Sequence, residues 1–195
     1  MSALPEKTWS PETYLAYERD SLERHEYLAG EIHAMAGASA NHNLIVANAI
    51  SSLHAQLRQQ PCRVYPSDMR LKVKRSGLYT YPDISIVCGE PQFEDDASDT
   101  LLNPIVIIEV LSPSTEAYDR GKKFQHYRTL VSLQEYVLIS QDSYHIEHYS
   151  RQADDTWLLS DVNSLTSTLA LPSIHCIVLI TDLYEKVSFN PSANQ

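Results

Sequence analysis

The sequence has little that would place it in or across a membrane. It contains 195 residues, 43% of them hydrophobic, but no apolar run approaches the roughly 20 residues that span a bilayer. Its first seven residues lack the basic and then apolar pattern of a secretory leader. We therefore expect a cytoplasmic protein that does not associate with membranes.

Cysteine is also scarce. The three cysteines, Cys62, Cys88 and Cys176, are odd in number and far apart along the chain. This pattern favours neither a disulfide framework nor a cysteine-based zinc site. We expect each cysteine to be a small buried hydrophobic residue.

Positive charge is in short supply. The 15 Lys and Arg residues face 25 Asp and Glu residues, for a formal net charge of −10. Proteins that bind nucleic acid usually carry a basic surface, because much of their affinity comes from neutralising phosphates. The balance argues against tight, non-specific DNA binding by a monomer, but it leaves room for a local basic cleft.

One short basic run is the candidate for such a surface. Arg70, Lys72 and Lys74 alternate with Met69, Leu71 and Val73, so the three cations should project from one face of a strand. They are our candidates for contacts with substrate phosphates. The alternative is a solvated sheet edge that protects the strand from mispairing.

Periodicity and turn residues predict a single α/β domain over residues 1–195. Ser10 and Pro11 begin a short helix, and Ala29 with Gly30 joins a hairpin within residues 25–36. A long helix begins at Ser39 or Asn41 and ends before residue 61. Strands are predicted at 63–65, 69–74, 81–87, 105–111, 135–139, 144–149, 157–160 and 173–179, with a helix from about 114 and another near 183. This order indicates a mixed sheet with helices packed on it.

Two acidic residues stand where acids are costly. Glu109 lies in the apolar run 105–111, and Asp83 directly precedes another apolar strand. A buried, unpaired carboxylate costs about several kcal/mol, so it needs a cation, a proton or a metal. Two such carboxylates on neighbouring strands suit a hard divalent ion, Mg²⁺ or Mn²⁺. The plainer alternative is that these acids cap loops or pair with an arginine.

Three segments, at 82–87, 108–116 and 119–123, resemble the Uma-two family of restriction-endonuclease-like proteins, within the PD-(D/E)XK nuclease superfamily. Further matching segments lie at 30–32, 35–39, 42–43, 67–70 and 134–139. The resemblance covers most of the chain, from about residue 14 to residue 184. It implies a restriction-endonuclease-like fold, in which a mixed central sheet is flanked by helices and carries extra strands.

The resemblance also implies a function, a metal-dependent endonuclease that hydrolyses DNA, with Asp83 and Glu109 on the ion. Leu111 stands where the superfamily usually has a lysine, two residues after the acid. Lys123 in the following helix is the candidate to supply that charge, and Lys122 could serve instead. The alternative for Lys123 is an ordinary surface ion pair with Asp119, four residues earlier.

Three further residues are candidates for the site. Asp68 is a candidate third metal ligand or a turn residue, and Glu31 a candidate N-terminal acid of the site. His42, at the start of the long helix, either contacts a phosphate or belongs to the helix start. A homodimer is compatible with the resemblance. The competing functions are a non-catalytic assembly or regulatory protein that retains the nuclease fold, and a hydrolase of small phosphate compounds.

Overall fold

The computed structural model of the chain describes residues 8–189. The N-terminal segment on which the leader expectation rests lies outside these residues. The elements are α1 (Pro11–Asp20), β1 (His25–Leu28), β2 (Glu31–Ala34), α2 (Ala40–Leu57), β3 (Cys62–Pro66), β4 (Arg70–Val73), β5 (Leu78–Thr80), β6 (Ile84–Cys88), β7 (Thr100–Leu101), β8 (Val106–Leu111), α3 (Glu116–Tyr118), a π-helical turn (Asp119–Lys123), α4 (Phe124–Tyr127), β9 (Glu135–Ser140), β10 (Ile146–Arg151), β11 (Trp157–Val162), β12 (Thr168–Leu171), a 3₁₀ turn (Pro172–Ile174), β13 (Cys176–Leu179) and α5 (Ile180–Leu183).

The helix starts agree with the local signals in the sequence. The Ser10 hydroxyl accepts a hydrogen bond from the Thr13 amide, and Pro11 occupies the first turn, where its missing N–H costs nothing. Ser39 caps α2 in the same way, by accepting from the His42 amide. The β1–β2 hairpin turns through Ala29 and Gly30, which both have positive φ.

The central sheet has six strands in the order β11-β10-β9-β8-β6-β3. Strands β8 and β9 run parallel and the other neighbours are antiparallel, so the sheet is mixed. Every residue of β8 is buried, as its continuous apolar run predicts for an interior strand. Alternate β8 residues face two separate cores. Val106, Ile108 and Val110 pack toward α2, whereas Ile107 and Leu111 pack on the opposite side.

A second sheet, of order β2-β1-β5-β4-β7, supplies part of the core on the Leu111 side. The β12–β13 hairpin completes the core on the α2 side. Mixed sheets flanked by helices and decorated with extra strands confirm the predicted fold class. Within residues 8–189, the helices are all too short or too polar to cross a bilayer.

The helix predicted from residue 114 is interrupted. The structure contains one turn of α3, the π-helical turn 119–123 and one turn of α4. Asp119 and Lys123, at the two ends of the π turn, are both buried. Such turns occur most often at functional sites, because the extra residue re-aims the neighbouring side chains.

The prediction for two of the three cysteines is wrong. Cys62 and Cys88 form a disulfide, with Cα atoms 4.0 Å apart. They stand directly opposite each other on the antiparallel strands β3 and β6. Spacing along the chain could not show this, because a disulfide depends on strand register rather than on sequence distance. Cys176 is a free, buried cysteine, as predicted.

Candidate functional site

Strand pairing brings Asp83 and Glu109 together. β6 and β8 are antiparallel neighbours in which Ile84 stands opposite Ile108. The next pair along the ladder is therefore Asp83 and Glu109. The Asp83 amide donates to Glu109 Oε2 at 3.3 Å, and the Val110 amide donates to Asp83 Oδ2 at 2.7 Å. The backbone of each strand thus fixes the carboxylate of the other.

Lys123 reaches the same point from the π turn. Its Nζ lies 2.9 Å from Glu109 Oε1 and 3.2 Å from Asp119 Oδ1, and the side chain is almost wholly buried. Burial opposes its charge, but Glu109 and Asp119 outweigh that effect and raise the pKa of Lys123 well above its usual value. Lys123 is therefore a permanent ammonium group beside Glu109. Lys122 is exposed and does not line the cleft described below.

The Glu109 carboxyl is unusually confined, with 3% of its surface exposed. Burial raises the pKa of Glu109, while the Lys123 ammonium lowers it and the nearby Asp83 charge raises it further. The Tyr127 hydroxyl donates to Glu109 Oε1 at 2.9 Å, so this oxygen has two partners. The charged form of the Glu109 carboxyl is therefore stabilised by a nearby cation.

His42 sits beside Asp83, in line with the hypothesis that the start of α2 contributes to the site. Its Nε2 lies 3.1 Å from Asp83 Oδ2. Its Nδ1 is buried and has no hydrogen-bond partner among residues 8–189. The imidazole therefore contacts Asp83 through Nε2, while its Nδ1 makes no hydrogen bond within residues 8–189.

Glu26 belongs to the site but was not predicted from the sequence. Its Oε1 lies 3.6 Å from Lys123 Nζ and accepts a hydrogen bond from the Thr80 hydroxyl. The prediction of an N-terminal acid named Glu31 instead. Glu31 is exposed, and its Oε2 lies 3.5 Å from Nε2 of His33. Glu26 is on the other strand of the same hairpin, and only the pairing of β1 with β5 decides which acid faces Lys123.

Asp68 does not join Asp83 and Glu109 in this structure. It lies on the surface, with 74% of its side chain exposed, and its carboxylate is paired with Arg24. Arg24 and Ser67 line the cleft, so Asp68 lies just outside its rim. The turn-residue alternative fits this position better than the metal-ligand one.

The three cations of the basic strand do not line this cleft either. Arg70 is 3% exposed and is held by the Thr100 and Tyr81 hydroxyls, each at 2.9 Å. Lys72 is half-buried and paired with Glu94. Lys74 is exposed but stands alone at the strand end. Arg70 and Lys72 alternate with buried apolar residues as predicted, but other parts of the chain cover Arg70 and partly cover Lys72.

One cleft of about 830 Å³ is lined by Asp83, Glu109, Lys123, His42 and Glu26. Five of its lining residues are Asp or Glu and two are Lys or Arg, so the cleft is acidic. No group of three or more His, Cys, Asp and Glu side chains within residues 8–189 is arranged to hold a metal. Mg²⁺, however, is commonly held by one or two carboxylates, with water and substrate phosphate completing its shell.

The donor set therefore fits Mg²⁺ or Mn²⁺ through Asp83 and Glu109. Both are hard oxygen ligands, and their mutual repulsion would be relieved by a divalent ion between them. The Val110 amide and His42 both contact Oδ2 of Asp83, which leaves Oδ1 available. Asp119 Oδ1, 3.2 Å from Lys123 Nζ, is a further acid that shares this one ammonium group.

Comparison with solved structures agrees with this architecture. The chain superposes on a crystal structure from Anabaena variabilis, described as a "putative nuclease belonging to DUF820", with a TM-score of 0.75. The match covers 91% of this chain and 98% of that one at 21% sequence identity, so it speaks for the fold alone.

Two proteins of Synechocystis sp., both described as uncharacterized, are similar in sequence. One is 41% identical over 149 residues, 76% of this chain and 84% of that protein. The other is 36% identical over 180 residues, 92% of this chain and 93% of that protein. Residues 11–179 match the model of the Uma2 family, described as "Putative restriction endonuclease". On this match and these relatives, the chain belongs to the Uma2 family.

Proposed function

We propose that this protein is a metal-dependent endonuclease that hydrolyses phosphodiester bonds in DNA. The observation that carries the proposal is the convergence of Asp83, Glu109 and Lys123, from two strands and a π turn, in one cleft. The family description and the described function of the structural neighbour support the same class of reaction.

Asp83 and Glu109 would hold Mg²⁺ or Mn²⁺, which when bound polarises a phosphate and makes a bound water more acidic. The protein's own groups do the rest. The Val110 amide and His42 fix Asp83, and Tyr127 fixes Glu109. The Lys123 ammonium supplies a fixed positive charge for the negative charge that develops on phosphorus-bound oxygens during attack. Because its pKa is raised, Lys123 acts as a hydrogen-bond donor and not as a proton acceptor.

A non-catalytic role is the second candidate, and one observation favours it. The cleft is acidic, and two of the three cations predicted to bind phosphate, Arg70 and Lys72, are paired with acids outside it. A protein with this surface would bind DNA weakly by itself. Such a member would retain the fold for assembly or regulation.

Cleavage of supercoiled and single-stranded DNA with Mg²⁺ or Mn²⁺ separates the two candidates. Asp83→Asn, Glu109→Gln and Lys123→Met should each lower the rate by about two orders of magnitude or more, because each removes a charge at the reacting phosphate. Glu90→Gln, an exposed acid outside the cleft, is the matched control and should cleave normally. Metal-dependent cleavage that persists in both carboxylate variants would refute this site. If the wild type cleaves neither DNA, the non-catalytic role is favoured.

A further inference from the structure

The loop that follows β8 carries three hydroxyl groups into the cleft. Ser112, Ser114 and Thr115 all line it, starting three residues after Glu109. Ser112 Oγ lies 3.0 Å from Ser114 Oγ and 2.9 Å from Thr115 Oγ1. The backbone holds this shape, because the amides of Thr115 and Glu116 both donate to the Ser112 carbonyl. We call residues 112–115 the hydroxyl loop.

The hydrogen bonds within the hydroxyl loop do not use all of its O–H groups. A serine or threonine hydroxyl has one O–H to donate and two lone pairs to accept with. Three hydroxyls joined by two contacts use two of their three O–H groups. No acceptor for the third is found among residues 8–189. At least one O–H in the loop is therefore available to a ligand in the cleft.

The two cations of the cleft already have carboxylate partners before a substrate enters. Lys123 is already within 3.2 Å of both Glu109 and Asp119, and Arg24 is paired with Asp68. Arg70 and Lys72 lie in ion pairs outside the cleft. A phosphate that enters the acidic cleft therefore needs uncharged donors beside the reacting group. The hydroxyl loop offers such donors, with three hydroxyl groups side by side at the cleft.

We infer that the hydroxyl loop is a phosphate-binding subsite, in which the O–H left over in the Ser112–Ser114–Thr115 cluster donates to a non-bridging oxygen of the substrate backbone. This inference rests on the proposed function and names the residues that would hold the substrate. Neutral donors suit the position, because they bind an anion without competing with the metal for Asp83 and Glu109. The subsite would set substrate affinity rather than the rate of the chemical step.

The test compares the triple variant Ser112→Ala/Ser114→Ala/Thr115→Val with the wild type. The control is Ser164→Ala/Thr166→Val, which removes a similar pair of hydroxyls, 3.0 Å apart, from a loop outside the cleft. KM for single-stranded DNA should rise about tenfold in the triple variant, the loss expected for one or two neutral hydrogen bonds. The value of kcat should stay within about twofold, since these contacts are made equally before and during the reaction.

A binding measurement separates phosphate recognition from a merely structural role. The fluorescence anisotropy of a labelled oligonucleotide, with Ca²⁺ in place of Mg²⁺, gives Kd, and a methylphosphonate analogue removes the backbone charge. The triple variant should weaken binding of the phosphate strand and leave the analogue unchanged. An equal loss for both probes, or no loss for either, overturns the inference.

The experiment also distinguishes loss of the subsite from unfolding of the triple variant and from an inactive wild type. If the triple variant unfolds, the single variants Ser114→Ala, at an exposed position, and Thr115→Val, which preserves shape, are measured instead. A KM unchanged in both single variants also overturns the inference. If the wild type neither binds nor cleaves DNA, the proposed function itself fails. If the wild type cleaves and the loop variants match it, the subsite alone fails.

Discussion

Two clusters of charged side chains lie in this molecule, and they differ in burial and in their balance of charge. In the first, Arg70 meets Asp99 Oδ2 at 2.9 Å, and Arg19 holds the same carboxylate through two further contacts at 2.8 and 3.1 Å. Arg19 also pairs with Asp95. In the second, one ammonium, Lys123, is surrounded by three carboxylates, with Asp83 beside them.

The difference lies in the balance of charge. The arginine cluster joins two cations to two acids, and Arg70 has further hydrogen bonds from Nε and Nη1. The lysine cluster has more acids than cations and opens into the cleft. An excess of buried negative charge lowers stability unless a cation enters. We therefore infer that the arginine cluster stabilises the fold, whereas the lysine cluster is suited to binding a cation.

The largest expected effect is on the arginine cluster. Arg70→Met should lower the free energy of unfolding by about 3 to 5 kcal/mol, because a buried guanidinium with several partners is lost. The buried Thr100 and Tyr81 hydroxyls each lose a hydrogen bond, and the half-buried Asp99 loses one ion pair. Lys74→Met, four residues along the same strand region and exposed, is the control and should change stability by less than about 0.5 kcal/mol. Urea denaturation measures both. Equal stabilities for the two variants would contradict a structural role for Arg70.

The same contrast shows how far the sequence could predict the site. Glu109 was predictable, because an acid within a run that is apolar on both faces needs a partner. Asp83 was predictable once its strand was placed next to β8. The role of Lys123 came from the family resemblance rather than from periodicity, since a π turn leaves no reliable signal in spacing.

The sequence could not show what depends on distant pairing. Glu26 faces Lys123 only because β1 pairs with β5, a three-residue strand that no pattern predicted. The Cys62–Cys88 disulfide likewise depends on strand register. Arg70 alternates with apolar residues as a surface cation would, but alternation identifies a face and does not say whether another layer covers it.

The second effect concerns the lysine cluster. Mg²⁺ or Mn²⁺ should raise the thermal stability of the wild type by an amount equivalent to about 2 to 3 kcal/mol at one hundred times its Kd. Glu109→Gln should lose this stabilisation, because it removes one of the two proposed ligands. Potassium chloride at matched ionic strength controls for screening, and EDTA should reverse the shift. A shift of the same size in Glu109→Gln would show that the ion binds elsewhere.

The smallest effect is the pH dependence of the arginine cluster. Hydrogen bonding by Arg19 holds the pKa of Asp99 well below its usual range, against the opposing effect of burial, and Arg70 lowers it further. A carboxyl whose pKa is depressed on folding contributes stability that is present above its unfolded pKa, about 4, and is lost as the pH falls toward its folded pKa. Solvent screens this half-buried group, so its contribution is smaller than that of Arg70.

Wild type should therefore exceed Asp99→Asn in stability by a constant margin above about pH 5, and the margin should shrink as acid is added. Urea denaturation across this range measures the margin, with Asp96→Asn, an exposed neighbour, as the control. A margin that stays constant into acid would mean that Asp99 is held by its shape in the cluster and not by its charge.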